Sequence, residues 1–213
     1  MGGHQAGDLA SHMVIASLDA LPPAQHMGSA VEGLRCGLHE TNRRLRQEAQ
    51  RRGQGVIGST VAVLLAVQRH SVCLWAGDSR VYLFRQGVLR PLTRDHSQVE
   101  ELVRKGLLNR REAENHPASN IVTRAVGGTD ELVIDAQIQE LRDGDIYLLC
   151  TDGLNKELSD AEIAAALAGT DSGLATRALV DLARERGGRD NITLVVVRFH
   201  ALYPSPPRKA NET

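Results

Sequence analysis

Residues 60–87 read TVAVLLAVQRHSVCLWAGDSRVYLFRQG. Three β-rich runs, Thr60 to Val67, Ser71 to Ala76 and Val81 to Arg85, are broken by Gln68-Arg69-His70, by Gly77-Asp78-Ser79 and by Gln86-Gly87. Connections this short cannot carry a crossover helix, so the runs predict a meander of antiparallel strands. Upstream, the period changes. Gln5 to Leu21 shows apolar residues at helical spacing and ends at Pro22-Pro23, and a second helix is predicted from about Ala30 to Arg52, stopped by Gly53 and Gly55.

Downstream, Ser97 to Ala125 interrupts the strands with two short helical stretches, VEELVRKGLL and REAENH. Strand character returns at Leu132 to Ile138 and at Ile146 to Cys150. Two further helices are predicted near Ser159 to Ala168 and Leu174 to Arg186, each preceded by Ser or Asp as an N-cap. A last strand covers Ile192 to Phe199. Helices at both ends of a strand-rich middle predict sheets covered by helices, not a parallel doubly wound fold.

Three acidic residues sit where an apolar run meets a turn: Asp78 in VCLWAGDSR, Asp152 in IYLLCTDGL and Asp190 in GGRDNITLVVV. The first two follow a strand and the third precedes one, so antiparallel neighbours would bring all three to one edge of a sheet. Carboxylates gathered without His or Cys favour hard cations such as Mg²⁺ or Mn²⁺. Taken singly, each Asp also reads as an ordinary turn residue.

The chain of 213 residues fits one domain, and its 42% hydrophobic and 24% charged content is that of an ordinary soluble protein. A formal net charge of -1 provides no electrostatic footprint for nucleic acid or an anionic membrane, and the locally basic RRLRQEAQRR (43–52) reads as a solvated helix face. No apolar stretch approaches bilayer length and no secretory pattern opens the chain, so a cytoplasmic protein is expected. Cys36, Cys73 and Cys150 lack metal-type spacing and read as buried, reduced thiols. Residues 204–213 read as a disordered tail.

Taken in order, MGGHQAGDLAS (1–11), Gly58-Ser59-Thr60, GDSRVYLFRQGVLRPLTRDHS (77–97), CTDGL (150–154) and GGRDNITLVVV (187–197) resemble the type 2C family of metal-dependent serine/threonine protein phosphatases, in its compact bacterial form. The resemblance implies an α+β fold: a four-layer α-β-β-α sandwich of two mainly antiparallel sheets flanked by helices, with its first strands missing. One phosphatase-type catalytic domain would cover residues 1–203, with a mobile flap at about 97–125. The implied cofactors are Mn²⁺ or Mg²⁺, two catalytic ions in the complete family domain and a third beside them. By motif, Asp152 and Asp190 map onto ligands of the pair, and Asp78 onto the third ion, sharing Asp152. Metal-activated water would hydrolyse phosphoserine and phosphothreonine proteins in bacterial signalling, opposite a Ser/Thr kinase. A monomer without nucleic-acid or membrane partners is implied.

The chain departs from the family pattern at its start, because Met1 stands immediately after the place of the family's Asp-Gly. A bridging Asp, a phosphate-binding Arg and the strands that carry them are therefore expected to be absent, with activity impaired. The alternative function is a non-catalytic pseudophosphatase or phosphoprotein-binding module. His4 is a candidate general acid, since imidazole titrates near neutral pH, against the reading in which Gly2-Gly3-His4 opens the first helix. His96 reads as a structural hydrogen-bonding group and Arg80 as half of an ion pair near the turn. Asn191 is expected to orient the Asp190 loop by capping a backbone group. Asp8 and Asp19 fall on the first helix, away from the expected site.

Overall fold

Strands that are apolar at every position, and not only at alternate ones, need cover on both faces. The computed structural model, which describes residues 4–200 except 24, 115 and 170, supplies that cover by stacking two sheets and placing helices outside each. The order is α1 (His4–Asp19), α2 (Met27–Arg51), β1 (Val61–Val67), β2 (His70–Ala76), β3 (Arg80–Arg85), β4 (Val88–Pro91), α3 (Gln98–Arg104) and α4 (Arg110–Glu114). There follow β5 (Asp135–Glu140), β6 (Ile146–Cys150), α5 (Asp152–Asn155), α6 (Asp160–Leu167), α7 (Ser172–Glu185) and β7 (Leu194–Arg198).

One antiparallel sheet runs β1-β2-β5 and the other β4-β3-β6-β7. The expected meander across residues 60–87 is thus corrected. β1 and β2 do pair, with Val61 opposite Ala76, but β3 pairs with β4 and β6 and not with β2. The turn at Gly77-Asp78-Ser79 carries the chain from one sheet into the other. The physical reason is burial: six of the seven residues of β2 and four of the six in β3 are inaccessible, which a single sheet with one solvated face cannot provide.

The layers follow the strand period. Val72, Leu74 and Ala76 of β2 face α1 and α2, among Ala10, Leu34, Leu38 and Leu45, while Cys73 points between the sheets with Val81, Leu83 and Tyr147. Tyr82, Ile146 and Leu148 face outward from the second sheet onto Ile163, Leu167 and Leu179 of α6 and α7. Polar groups at the sheet interface are paired. The Ser71 and Tyr147 hydroxyls lie 2.7 Å apart and join the sheets, and the fully buried Asp145 carboxylate receives both 2.7 Å arms of Arg85 and the Arg142 N–H.

The helices start where side chains can cap them. Ser159 and Glu162 form a reciprocal capping box on α6, and Asp171 accepts from the Gly173 and Leu174 N–H groups at the start of α7. α2 begins three residues before the expected Ala30, and β5 starts at Asp135 and not Leu132, because Leu132 and Ile134 are already buried in the helical-side core as irregular chain. Neither β4 nor α5 was anticipated. Cys73 and Cys150 are buried, but Cys36 is exposed on α2, contrary to its expected burial. The predicted tail at 204–213 and Gly2-Gly3 lie outside the described residues, and among those described no helix is long and apolar enough to cross a membrane.

Candidate active site

Each of the three aspartates is placed by a local device at a strand end. β2 finishes at Ala76 and the next residue, Gly77, takes φ +130; a Cβ there would lie 2.4 Å from the Thr60 methyl group, so only glycine lets the strand end pack this closely. His96 braces the same residue from both sides, its N–H donating to the Gly77 carbonyl (2.9 Å) and its Nδ1 accepting from the Gly77 N–H (3.2 Å). Asp78 and Ser79 follow, with the Ser79 hydroxyl 3.0 Å from that of Thr60.

At the end of β6 the Thr151 hydroxyl donates to the Asn191 carbonyl and accepts from the Thr193 N–H, both at 3.0 Å, and so stitches the Asp190 segment to the strand. Asp152 then opens α5. A Cβ on Gly153 would meet the Asn191 carbonyl oxygen at 2.4 Å, so glycine is what allows the Asp190 segment to lie across this short helix. The Asp190 carboxylate accepts from the Asn191 N–H at 2.7 Å. Asn191 therefore orients the loop through its backbone N–H and carbonyl, a correction to the side-chain role expected for it.

Asp78, Asp152 and Asp190 line one cleft of about 360 Å³, together with Gly58, Thr60, Ser79, Thr151, Lys156 and, from the segment after α4, Asn120 and Val122. They do not share a single sheet edge, as expected from sequence. Asp78 leaves the first sheet while Asp152 and Asp190 flank β6 and β7 of the second, so the site is formed where the ends of two stacked sheets meet. Among the described residues, no three His, Cys, Asp or Glu side chains draw together closely enough to enclose one ion.

The cleft is electrostatically tense. Burial, and then the charge of Asp152, push the Asp78 carboxyl up to about 6, with Asp95 adding to the rise and Lys156 opposing it. Lys156 donates to Asp152 Oδ2 at 2.5 Å and to Asn120 Oδ1 at 2.7 Å. A second cavity, of about 350 Å³ between α1 and α2, has Glu48 as its one acid, already held by Arg51 and Arg52.

His96 and Arg80 are engaged elsewhere. His96 is buried, stacked on Trp75 at 5.9 Å between ring centroids, and its Nε2 faces Asp135 Oδ2 at 3.2 Å. A backbone N–H can only donate, so Nδ1 is the acceptor and the proton of the neutral ring sits on Nε2. Burial holds the imidazole below its ordinary pKa. Arg80 is forked onto Asp95 with two 2.8 Å bonds and reaches the Tyr82 hydroxyl at 3.0 Å, the ion pair expected near the turn. His4 begins α1, and its side chain lies outside the described residues. Asp8 and Asp19 lie on α1 and do not line the cleft. Lys156 escaped the sequence reading although its spacing from Asp152, four residues along a helical turn, is a legible ion-pair signal. Asn120 left no such signal, since only tertiary folding brings it there.

Residues 1–129 match the family model described as Protein phosphatase 2C. The chain belongs to this family. The serine/threonine protein phosphatase PstP of Mycobacterium tuberculosis is 36% identical over 200 residues, covering 92% of the chain but only 38% of PstP's length. A structure described as PppA, a key regulatory component of T6SS in Pseudomonas aeruginosa, is 44% identical and superposes with a TM-score of 0.86 over 93% of this chain and 83% of that one. The catalytic domain of PstP in complex with two manganese ions is 33% identical, with a TM-score of 0.79 over 92% and 83% of the two chains. The cleft therefore lies in a protein phosphatase 2C fold at the meeting point of its two sheets.

Proposed function

We propose that this chain is a metal-dependent serine/threonine phosphoprotein phosphatase domain, with residues 97–125 as its flap, acting in bacterial signalling opposite a Ser/Thr kinase. The observation that carries the proposal is the convergence of Asp78, Asp152 and Asp190, from three separate parts of the chain, on a cleft that the flap also lines. The donor set fits Mn²⁺ or Mg²⁺: it is all oxygen, burial and then the charge of Asp152 raise the Asp78 carboxyl, and a lysine ammonium already rests on Asp152. Two manganese ions in the related PstP domain support a pair here, which Asp152 and Asp190 would hold, with Asp78 beside them on the side where the family resemblance puts a third.

When bound, divalent ions neutralise phosphoryl oxygens and acidify water. The protein's own contributions are positional. The Thr151 hydroxyl and Gly153 keep Asp190 over the start of α5, while His96 and Gly77 hold the Asp78 turn against Thr60. A cleft with three aspartates and one lysine repels a phosphate dianion, by about 4 kcal/mol for each pair of like unit charges 4 Å apart near a protein surface. A divalent cation held by these carboxylates would offset that repulsion of a phosphorylated side chain. Asn120 and Val122, which line the cleft from the flap, would meet the flanking residues of a protein substrate.

The test is Mn²⁺-dependent hydrolysis of a phosphothreonine peptide by the wild type and by Asp152→Asn and Asp190→Asn. Loss of turnover in both variants is expected; equal rates in all three would rule the site out. A non-catalytic phosphoprotein-binding role is favoured by one observation, that no three described ligands enclose an ion. Saturable phosphopeptide binding with Mn²⁺ present and no phosphate release would establish that role instead.

A further inference from the structure

Among the described residues lining the cleft, Lys156 is the one cation. Its ammonium is shared between two partners on opposite sides: Asp152 Oδ2 on α5, at 2.5 Å, and Asn120 Oδ1 on the return limb of the flap, at 2.7 Å. We propose that Lys156 is a tethered cation that takes the place of a further divalent ion on the Asp78–Asp152 side of the cleft and, through Asn120, latches the flap to the site. The proposal rests on reading the cleft as a divalent-cation site and adds to that reading a built-in competitor and a mechanical link.

The geometry supports both halves. An ammonium held against Oδ2 repels a divalent ion approaching the same oxygen and occupies part of its accepting capacity, whereas the other oxygen of Asp152 carries no such cation. A lysine ammonium is a compact point charge that brings three donors and needs no ligand cage, so it can neutralise paired carboxylates where ligands are too few to enclose a metal. The same ammonium eases the crowding of Asp78 by Asp152.

The latch reaches the flap's base. Asn120 precedes Ile121, whose carbonyl accepts from the Gln98 N–H at 2.9 Å, and Val122, which bridges to Ser97, the N-cap of α3. Thr123 then donates to the His96 carbonyl at 2.7 Å. Among the described residues, no other side-chain hydrogen bond joins residues 98–122 to the β6–α5 side of the cleft. Lys156 is accordingly a positioning residue: it sets which cations the carboxylates accept and how firmly the flap's return limb is held.

The experiment compares wild type, Lys156→Met, Lys156→Arg and Asn120→Ala, each checked for folding by thermal unfolding. Manganese binding is followed by titration calorimetry and, on the metal-free proteins, amide hydrogen exchange is followed in residues 116–123. Lys156→Met should bind one additional Mn²⁺, or its weakest class of ion at least tenfold tighter, and should exchange residues 116–123 at least tenfold faster. Lys156→Arg, which keeps the charge, should restore wild-type metal stoichiometry. Asn120→Ala should speed exchange while leaving Mn²⁺ affinity within about twofold, since it cuts only one arm. Identical Mn²⁺ stoichiometry and affinity in wild type and Lys156→Met would overturn the cation role, and unchanged exchange in both Lys156→Met and Asn120→Ala would overturn the latch. If no protein in the set binds Mn²⁺, the phosphatase reading fails and the cation role with it; the exchange data, which need no metal, still decide the latch.

Discussion

Replacing Asp78 by Asn in chelator-treated protein is expected to stabilise the fold at neutral pH. The carboxyl rises from its ordinary 3.8 to about 6 in the folded chain because burial and the neighbouring Asp152 disfavour its ionised form. A group raised in this way contributes stability that is complete below about pH 4 and lost as pH climbs through about 6. At about 1.36 kcal/mol per pH unit the full penalty at pH 7.5 is about 3 kcal/mol, and about 2 kcal/mol once the water reaching this partly exposed side chain is allowed for. Asparagine keeps the neutral form at every pH. For a chain of this size the gain corresponds to roughly 4–8 °C in Tm at pH 7.5, falling to about a third of that at pH 4.5, where the wild-type carboxyl is already protonated in the folded state. Calorimetric unfolding at the two pH values tests this. A variant less stable than wild type at pH 7.5, or one equally stabilised at both, would refute the argument that burial and the Asp152 charge raise Asp78.

Removing Asp145 should destabilise the second sheet at the end where β3 meets the start of β6: Asp145→Ala leaves the Arg85 guanidinium without its buried carboxylate, and urea denaturation should show a loss of about 3–5 kcal/mol. Gly153→Ala forces a methyl group to within 2.4 Å of the Asn191 carbonyl and so must displace the Asp190 segment; a loss of about 1–3 kcal/mol in stability is expected, together with weaker Mn²⁺ binding by calorimetry. Amide hydrogens of residues 97–125 should exchange faster than those of 192–199, since α3 carries no buried residue whereas β7 is paired along its length with β6; equal protection would count against a mobile flap.

How much of this was written locally can be read from particular residues. The ends of β6, α6 and α7 fall within two residues of the positions that apolar runs and the caps Ser159 and Asp171 predict, because strand pattern and cap chemistry act over a few neighbours. The acids at 78, 152 and 190 were legible for the same reason: turn residues at strand ends announce themselves in one dimension. Membership of the protein phosphatase 2C family followed from such words in series. The four-residue strand β4 was not legible, since a run so short has no period of its own and exists only by pairing with β3.

The tertiary structure alone decided where those elements meet. It split β2 from β3 into different sheets, because only a stack could cover both faces of each strand, and thereby moved the aspartates from one sheet edge to the junction of two. Arg85 found Asp145 across 60 positions and Lys156 found Asn120 across 36, pairings for which no local pattern exists. The charge state of Asp78 belongs to the same class. A carboxylate's pKa depends on burial and on charges within a few ångströms, and for Asp78 the nearest of consequence, Asp152, is supplied by a segment more than seventy residues away.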